Sequence, residues 1–365
     1  MAGMTPAGDA ALRGWVAEAL AKLRREAARS ADTHLLRIDL PGFPGIEFYF
    51  KDEAAHPTGS LKHRLARSLY LYALCNGKLR PGQAVVDASS GSTAISEAWF
   101  ARLLGLRFTA VMPRATAPRK ITDVEVLGGH VDLVDDPGEV YERAAWHAAQ
   151  GACHLDQFGQ AERATDWRGN NNIAESIIGQ LAAEPHPDPS WIVCGAGTGG
   201  TSATIGRYLR YRGLQTRLCV AEPEGAAFAV GWRTRDRNAT VERPAIIEGI
   251  GRCRVEPGFL FEVVDEVIEV PDEASIAAMR LLEEQLGRRY GGSSGTNLVA
   301  CLQLATRMRE RGEEGSIVSL LCDPGERYDQ TLYCPAWLRR NGLDPAPAEK
   351  ALRETLATGR WVPPA

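Results

Sequence analysis

The chemistry in this chain gathers first around one lysine. Lys62 lies in His56-Pro57-Thr58-Gly59-Ser60-Leu61-Lys62-His63-Arg64, after a short apolar stretch from Ile46 to Phe50 and the charged Lys51-Asp52-Glu53. Pro57 and Gly59 interrupt regular structure, Ser60 is placed to cap the next element, and Leu61, Leu65, Ser68, Leu69 and Tyr72 recur at helical spacing. The spacing predicts Lys62 in the first turn of a helix, just after a tight turn. The positive end of the helix dipole disfavours a second positive charge there by about 0.3–1 kcal/mol. With partial burial, that field favours the neutral amine, the form that Schiff-base chemistry needs. The competing reading is an exposed lysine on a basic helix with His63, Arg64 and Arg67.

Three polar, glycine-containing segments lie downstream. Ser89-Ser90-Gly91-Ser92-Thr93-Ala94 comes after the predicted strand 84–88 and before a helix over 94–104. Strand, polar loop and helix in that order aim loop amides and a helix N-terminus at an anion. The hydroxyls of Ser89, Ser90, Ser92 and Thr93 suit a carboxylate; a plain polar helix cap is the alternative. Gly195-Ala196-Gly197-Thr198-Gly199-Gly200-Thr201 follows the strand Trp191-Ile192-Val193-Cys194 and opens a helix to Tyr211. Its glycines let backbone amides approach an anion without Cβ clashes. A dinucleotide fold uses similar glycines, and the next strand, 218–222, ends in Glu222 at a suitable distance. The depth of the loop in the chain, with Lys62 and the serine loop upstream, favours a phosphate monoester. Gly291-Gly292-Ser293-Ser294-Gly295-Thr296 opens a helix over 297–309, with an ordinary glycine-rich cap as the competing reading.

The order and separation of these four segments resemble the fold-type-II family of pyridoxal-phosphate (PLP) enzymes, which includes cysteine synthase, cystathionine β-synthase and cysteine desulfhydrases. The resemblance spans roughly residues 35–333. It implies an α/β fold with two parallel-sheet αβα domains of the tryptophan synthase β-subunit-like type. It also implies that Lys62 is catalytic and holds pyridoxal 5'-phosphate. Gly197, Thr198, Gly199, Gly200 and Thr201 would take the cofactor phosphate, and Ser92 and Ser293 would also touch the cofactor, Ser293 at its pyridine nitrogen. The amino-acid carboxylate falls to Ser89, Ser90, Gly91 and Thr93, joined by Gln157 of Gln157-Phe158, although a surface glutamine is a competing reading. Gly249, in Glu248-Gly249-Ile250-Gly251, would lie beside the substrate. A neutral serine at the ring nitrogen favours loss of a β-substituent over transamination. Two positions depart from the synthase pattern: Ser92 where synthases usually carry asparagine, and His63 where aspartate or serine commonly follows the lysine. The nearest resemblance is to actinobacterial-type L-cysteine desulfhydrases, in 56–64, 89–94 and 161–176. It implies β-elimination of L-cysteine to hydrogen sulfide, pyruvate and ammonia. β-Replacement on O-acetylserine or O-phosphoserine is the alternative. A non-catalytic PLP or amino-acid binding protein is a remoter one, against which Lys62 itself argues. The family is commonly dimeric, so a homodimer is implied. No haem-binding extension or C-terminal regulatory domain is expected.

The elements that must position these groups show a βαβ rhythm: strands at 84–88, 108–112 and 130–134 alternate with helices at 94–104, 119–127 and 138–149, the pattern of a parallel sheet with helices on its faces. The expected division is a helical extension over 1–34, a first α/β domain over 35–165, a second over 166–335 and a tail over 336–365. Leu12, Trp15, Val16, Leu20 and Leu23 mark an amphipathic helix in the extension, expected on a domain surface or a second subunit. With 365 residues, 44% hydrophobic and 24% charged, the chain is ample for two cores. A net charge of −4 offers no basic field to nucleic acid or an anionic membrane. No apolar run nears the roughly 20 residues of a membrane span, and no signal-peptide pattern opens the chain. A cytoplasmic location is expected. The eight cysteines contain no Cys-x-x-Cys pair; buried, reduced thiols are expected and no metal site.

Overall fold

The computed structural model describes residues 6–30, 32–242 and 245–364. Ten strands run through the described residues: β1 (Leu35–Ile38), β2 (Ile46–Asp52), β3 (Val85–Ala88), β4 (Phe108–Pro113), β5 (His130–Val134), β6 (Cys153–His154), β7 (Trp191–Gly195), β8 (Arg217–Pro223), β9 (Glu266–Val270) and β10 (Gly315–Leu321). They form two sheets in two compact units. The first unit holds the N-terminal helix, His56–Thr58 and Lys62–Thr165; the second holds Asp32–Ala55, Gly59–Leu61 and the chain from Asp166 on.

In the first unit the strand order is β5-β4-β3-β6, all parallel. β3 is buried on both faces, as an apolar run at the centre of a parallel sheet should be. The helix Pro6–Ser30 belongs to this unit, with Ala19 and Leu23 buried in the same cluster as Leu69, Tyr70 and Phe100. Residues 1–5 lie outside the described part of the expected extension.

The second sheet runs β1-β2-β10-β7-β8-β9, parallel except for the antiparallel β1–β2 pair. This corrects the expectation that 35–165 forms one domain. β2 pairs with β10 residue for residue, from Ile46 opposite Gly315 to Asp52 opposite Leu321. Phe48 and Phe50 are buried in the core that also holds Leu321 and Val299. Hydrogen bonding along the whole of β2 and two buried aromatics outweigh nearness in sequence. The expected peripheral tail also changes character. Helix Ala346–Thr358 buries Ala348 and Leu352 completely in this same core.

Helix Gly292–Glu310 begins before the expected Asn297, which brings Ser293 into its first turn. Helix Gln157–Ala164, helix Ala227–Thr234 and β9 carry no expectation from the sequence pattern; each is short and mixes polar with apolar residues.

Candidate active site

Lys62 is the first residue of helix Lys62–Cys75 and is half-buried. Gly59, at φ +72, turns the chain before it, a conformation that favours glycine. The expected Ser60 cap is absent: the Ser60 hydroxyl is buried and accepts no bond from the described residues. The turn is held through its backbone instead, where the Leu61 N–H donates to Cys322 O at 3.0 Å. The predicted apolar stripe is displaced as well. Leu65 and Leu69 are buried, Leu61, Ser68 and Tyr72 only partly, and the packed face includes His63, Ala66, Tyr70 and Ala73. The His63 ring packs at 5.2 Å from Trp99 and 4.8 Å from Phe100, and the Tyr70 hydroxyl donates to Glu97 O at 3.0 Å. The lysine helix is thereby fixed on helix Ser92–Leu104.

The serine loop leaves β3 where the Ser89 N–H donates to Val111 O at 3.0 Å. Gly91 is the N-cap of helix Ser92–Leu104 and offers no side-chain cap. Ser89 Oγ does this work from two residues back, accepting from the Ala94 N–H at 3.2 Å. Ser89, Ser90, Gly91 and Ser92 are half-buried and Thr93 is buried, and the first turn of the helix has no acid. Gln157 joins this loop: its Nε2 donates to Ala88 O at 3.0 Å and its backbone N–H to Asp87 Oδ2 at 3.1 Å. Serine hydroxyls, a helix N-terminus and a buried amide therefore converge within one unit, a donor set suited to a carboxylate.

Beneath the loop lies a pair of acids that the sequence pattern did not single out. Asp87, at the end of β3, and Glu97, on the helix after the loop, are both fully buried. Burial first, and Asp87 second, push the Glu97 carboxyl well above its ordinary range. His154 Nε2 lies 3.3 Å from Asp87 Oδ1. A signal was available for Asp87, which interrupts Val85-Val86-Ala88, a position where an unpartnered acid is costly.

In the second unit, β7 runs into the glycine loop and helix Gly200–Arg212. A Cβ on Gly197 would overlap Gly249 O, and one on Gly199, at φ +80, would overlap the Phe259 N. The Gly251 N–H donates to Ala196 O at 3.0 Å, and Gly249 O lies against Gly197. Thr198 is buried, and its Oγ1 accepts from the Gly200 N–H at 3.3 Å. The helix has no acid in its first turn and no capping side chain at Gly199, which fits a phosphate monoester. Glu222 does not serve a dinucleotide. Its buried carboxylate accepts from the Phe228 and Ala229 N–H groups and caps helix Ala227–Thr234. Ser293 is buried, and the turn that carries it is tied to the end of β10: Ser294 Oγ accepts from the Cys322 N–H at 3.0 Å, and the Gly291 N–H donates to Asp323 O at 3.0 Å. Cys322 thus anchors both this turn and Leu61, the residue before Lys62.

The family model for pyridoxal-phosphate dependent enzymes matches residues 30–323. The chain belongs to that family. Among the relatives of this pyridoxal-phosphate dependent enzyme is L-cysteine desulfhydrase Cds1 of Mycobacterium tuberculosis (strain ATCC 25177 / H37Ra), 53% identical over 355 residues that cover 96% of each chain. Cysteine synthase 2 of Schizosaccharomyces pombe is 31% identical, over 86% of this chain and 84% of its own. Among solved structures, that of O-ureido-L-serine synthase superposes with a TM-score of 0.72 at 27% identity, covering 84% of this chain and 96% of that one. The fold is therefore the α/β fold-type-II architecture that the sequence motifs implied, and the cofactor is pyridoxal phosphate. The residues present fit it: a lysine at the start of a helix, an acid-free helix N-terminus behind close-packed glycines, and a buried neutral serine at 293.

Proposed function

We propose that this enzyme converts L-cysteine and water to hydrogen sulfide, pyruvate and ammonia. One observation carries the reading: the 53% identity to an L-cysteine desulfhydrase runs through 96% of both chains, so it takes in the serine loop, the glycine loop and the Lys62 turn together. When bound, pyridoxal phosphate supplies the electron sink that acidifies the substrate Cα–H and lets the β-sulfur leave. The protein supplies attachment, orientation and proton movement. Lys62 Nζ would hold the cofactor and, as a free amine, would take the Cα proton. The loop residues Ser89, Ser90, Gly91 and Thr93, with Gln157, bind the substrate carboxylate and set the direction of the Cα–H bond. Gly197, Thr198, Gly199, Gly200 and Thr201 hold the phosphate through backbone amides and two hydroxyls. Ser92 would touch the cofactor, Gly249 would line the substrate's side, and Ser293 would offer the ring nitrogen a neutral hydroxyl in place of a carboxylate.

β-Replacement is the second reading, favoured by the cysteine synthase among the relatives. The test is to incubate purified holoenzyme with L-cysteine, L-serine, O-acetylserine and O-phosphoserine, and to quantify sulfide, pyruvate and new amino acids. Stoichiometric sulfide and pyruvate from L-cysteine alone are expected. Cysteine formed from O-acetylserine and sulfide in large excess over pyruvate overturns the reading. Lys62→Ala should abolish sulfide release. Borohydride should fix the cofactor mass to the Lys62 peptide of the wild type and to no peptide of the variant; a labelled peptide elsewhere moves the attachment to another lysine.

A homodimer in the cytoplasm belongs to the same proposal. None of the eight cysteines forms a disulfide among the described residues, and five are buried, which suits a reducing compartment. No helix among the described residues is long and apolar enough to cross a membrane. The dimer rests on the family resemblance, and light scattering of the purified protein tests it.

A further inference from the structure

His63, next to the lysine, is one of the two residues that break the synthase pattern, and the structure shows what it touches. Its ring is fully buried, with Nε2 3.0 Å from Glu26 Oε1 and Nδ1 3.2 Å from Thr58 Oγ1. Thr58 Oγ1 lies 2.9 Å from Ser96 Oγ, and Ser96 Oγ donates to Ser92 O at 3.0 Å. Glu26 belongs to the N-terminal helix and is 3% exposed. An unbroken line of contacts thus runs from the N-terminal helix, past the residue beside Lys62, to the backbone of the serine loop. We propose that Glu26 and His63 are positioning residues for the reaction: through Thr58 and Ser96 they hold the Ser89–Thr93 loop in the geometry that accepts the substrate carboxylate. The proposal rests on the reading of that loop as the carboxylate site.

The surroundings argue against a filler role. Apart from Arg67, His56 and Ser30, the cluster around these groups is apolar and includes Leu23, Tyr70, Trp99 and Phe100. Apolar residues would fill such a space without the desolvation that four polar groups incur. What the polar groups add is direction. Burial works to raise the Glu26 carboxyl, but hydrogen bonds with His63 and Ser30 and the charge of Arg67 are among the contributions that hold the group below its ordinary value. Burial also lowers His63, against the pull of Glu26. A neutral ring facing an ionised carboxylate puts its proton on Nε2 and turns Nδ1 to the Thr58 hydroxyl. A charged acceptor on one ring nitrogen fixes the tautomer and the orientation of the other. Thr58 then donates its proton to Nδ1, and its oxygen takes a share of the single Ser96 hydroxyl proton, which also bears on the Ser92 carbonyl one helical turn back. Glu26 Oε2 is also 3.9 Å from Arg67, and His56 stacks on His63 at 5.0 Å, so ring and carboxylate are braced from both sides.

The experiment compares the wild-type holoenzyme with Ser96→Ala, Glu26→Gln and the double variant. Deuterium exchange is read on the peptide spanning 88–96, and KM and kcat on sulfide release from L-cysteine. Ser96→Ala is expected to fold, since alanine is the better helix former. Each single change should speed exchange of the loop amides and raise KM for L-cysteine by about three- to tenfold, the scale of one hydrogen bond, with kcat within about twofold. The double variant should be no worse than the weaker single variant, because both cut the same line. If Glu26→Gln fails to fold, Thr58→Val replaces it in the cycle. Unchanged loop exchange and KM in Ser96→Ala overturn the proposal, as does additivity of log KM in the cycle, or a fall in kcat at constant KM. Faster loop exchange in a protein whose wild type releases no sulfide supports the positioning role and sinks the desulfhydrase reading instead.

Discussion

At the scale of single residues, Glu97 poses the sharpest electrostatic question. As a carboxylate it would face Asp87 with neither oxygen accepting a hydrogen bond from the described residues. As a carboxylic acid it donates to Asp87, which already accepts from the Ala88 and Gln157 N–H groups. Burial and Asp87 both raise its folded-state pKa above the ordinary 4.5. The stability contributed by the neutral acid is therefore complete below the unfolded value and is lost as pH rises through the folded one. Glu97→Gln keeps the shape and the donor but cannot ionise. Its melting temperature relative to wild type should increase from about pH 5 to about pH 8, and an equal difference at both values would show that Glu97 does not hold the proton. Ser92 carries a second prediction. A hydroxyl cannot span two partners as the asparagine amide of the synthases can. With L-cysteine and a second thiol, Ser92→Asn should raise the ratio of thioether to pyruvate by roughly tenfold, the scale of one hydrogen bond near a charged group. A ratio unchanged from wild type would mean that residue 92 does not steer the outcome. The segments around Lys62, 89–93 and 197–201 were legible as turns or loops that open helices. The buried Glu97 and Glu26 were not legible, because a helical pattern records an acid as polar without saying that it is buried.

At the scale of elements, glycine both reveals and disguises. The loop before helix Gly200–Arg212 announces itself by composition, and the structure gives its glycines a reason. Gly199→Ala would combine φ +80 with a Cβ driven into the backbone of 258–259, so the loop must shift. Cofactor retention after dialysis should fall at least about tenfold, whereas Gly105→Ala, at φ +71 with nothing within 4 Å, should cost only about 1–2 kcal/mol of stability and leave retention unchanged. Equal retention in the two variants would remove the phosphate role from this loop. The run Gly291-Gly292-Ser293-Ser294-Gly295 disguises a helix. Low intrinsic propensity makes it read as a loop, yet a Cβ on Gly295 would overlap Ser275 O. Small residues are needed there so that helix Gly292–Glu310 can lie close against helix Asp272–Leu286. Packing overrides propensity, and the first turn carrying Ser293 becomes helical.

At the scale of the whole molecule, strand positions were legible and sheet membership was not. Apolar runs such as Trp191–Cys194 and Ile317–Leu321 mark strands by pattern alone, but nothing in Ile46–Phe50 says that its partner lies far downstream, beginning at Gly315. The consequence is that the chain cannot be cut at the change of unit. A fragment of 166–365 would retain β7, β8, β9 and β10 but lose β1 and β2. β10 is buried at every position, and without β2 its hydrogen-bonding edge from Gly315 to Leu321 opens to solvent, along with the core surface covered by Phe48 and Phe50. A long, apolar, unpaired edge is a template for association. The fragment alone should therefore be recovered as aggregate, and any soluble portion should lack a cooperative urea transition. Joining 32–55 to the fragment through a flexible Gly/Ser linker should restore solubility and cooperativity, since it returns the β2–β10 pairing and both phenylalanines. A monomeric 166–365 fragment that unfolds cooperatively without that segment would show that β10 tolerates an open edge, and that the second unit is contiguous in its energetics although not in its hydrogen bonds.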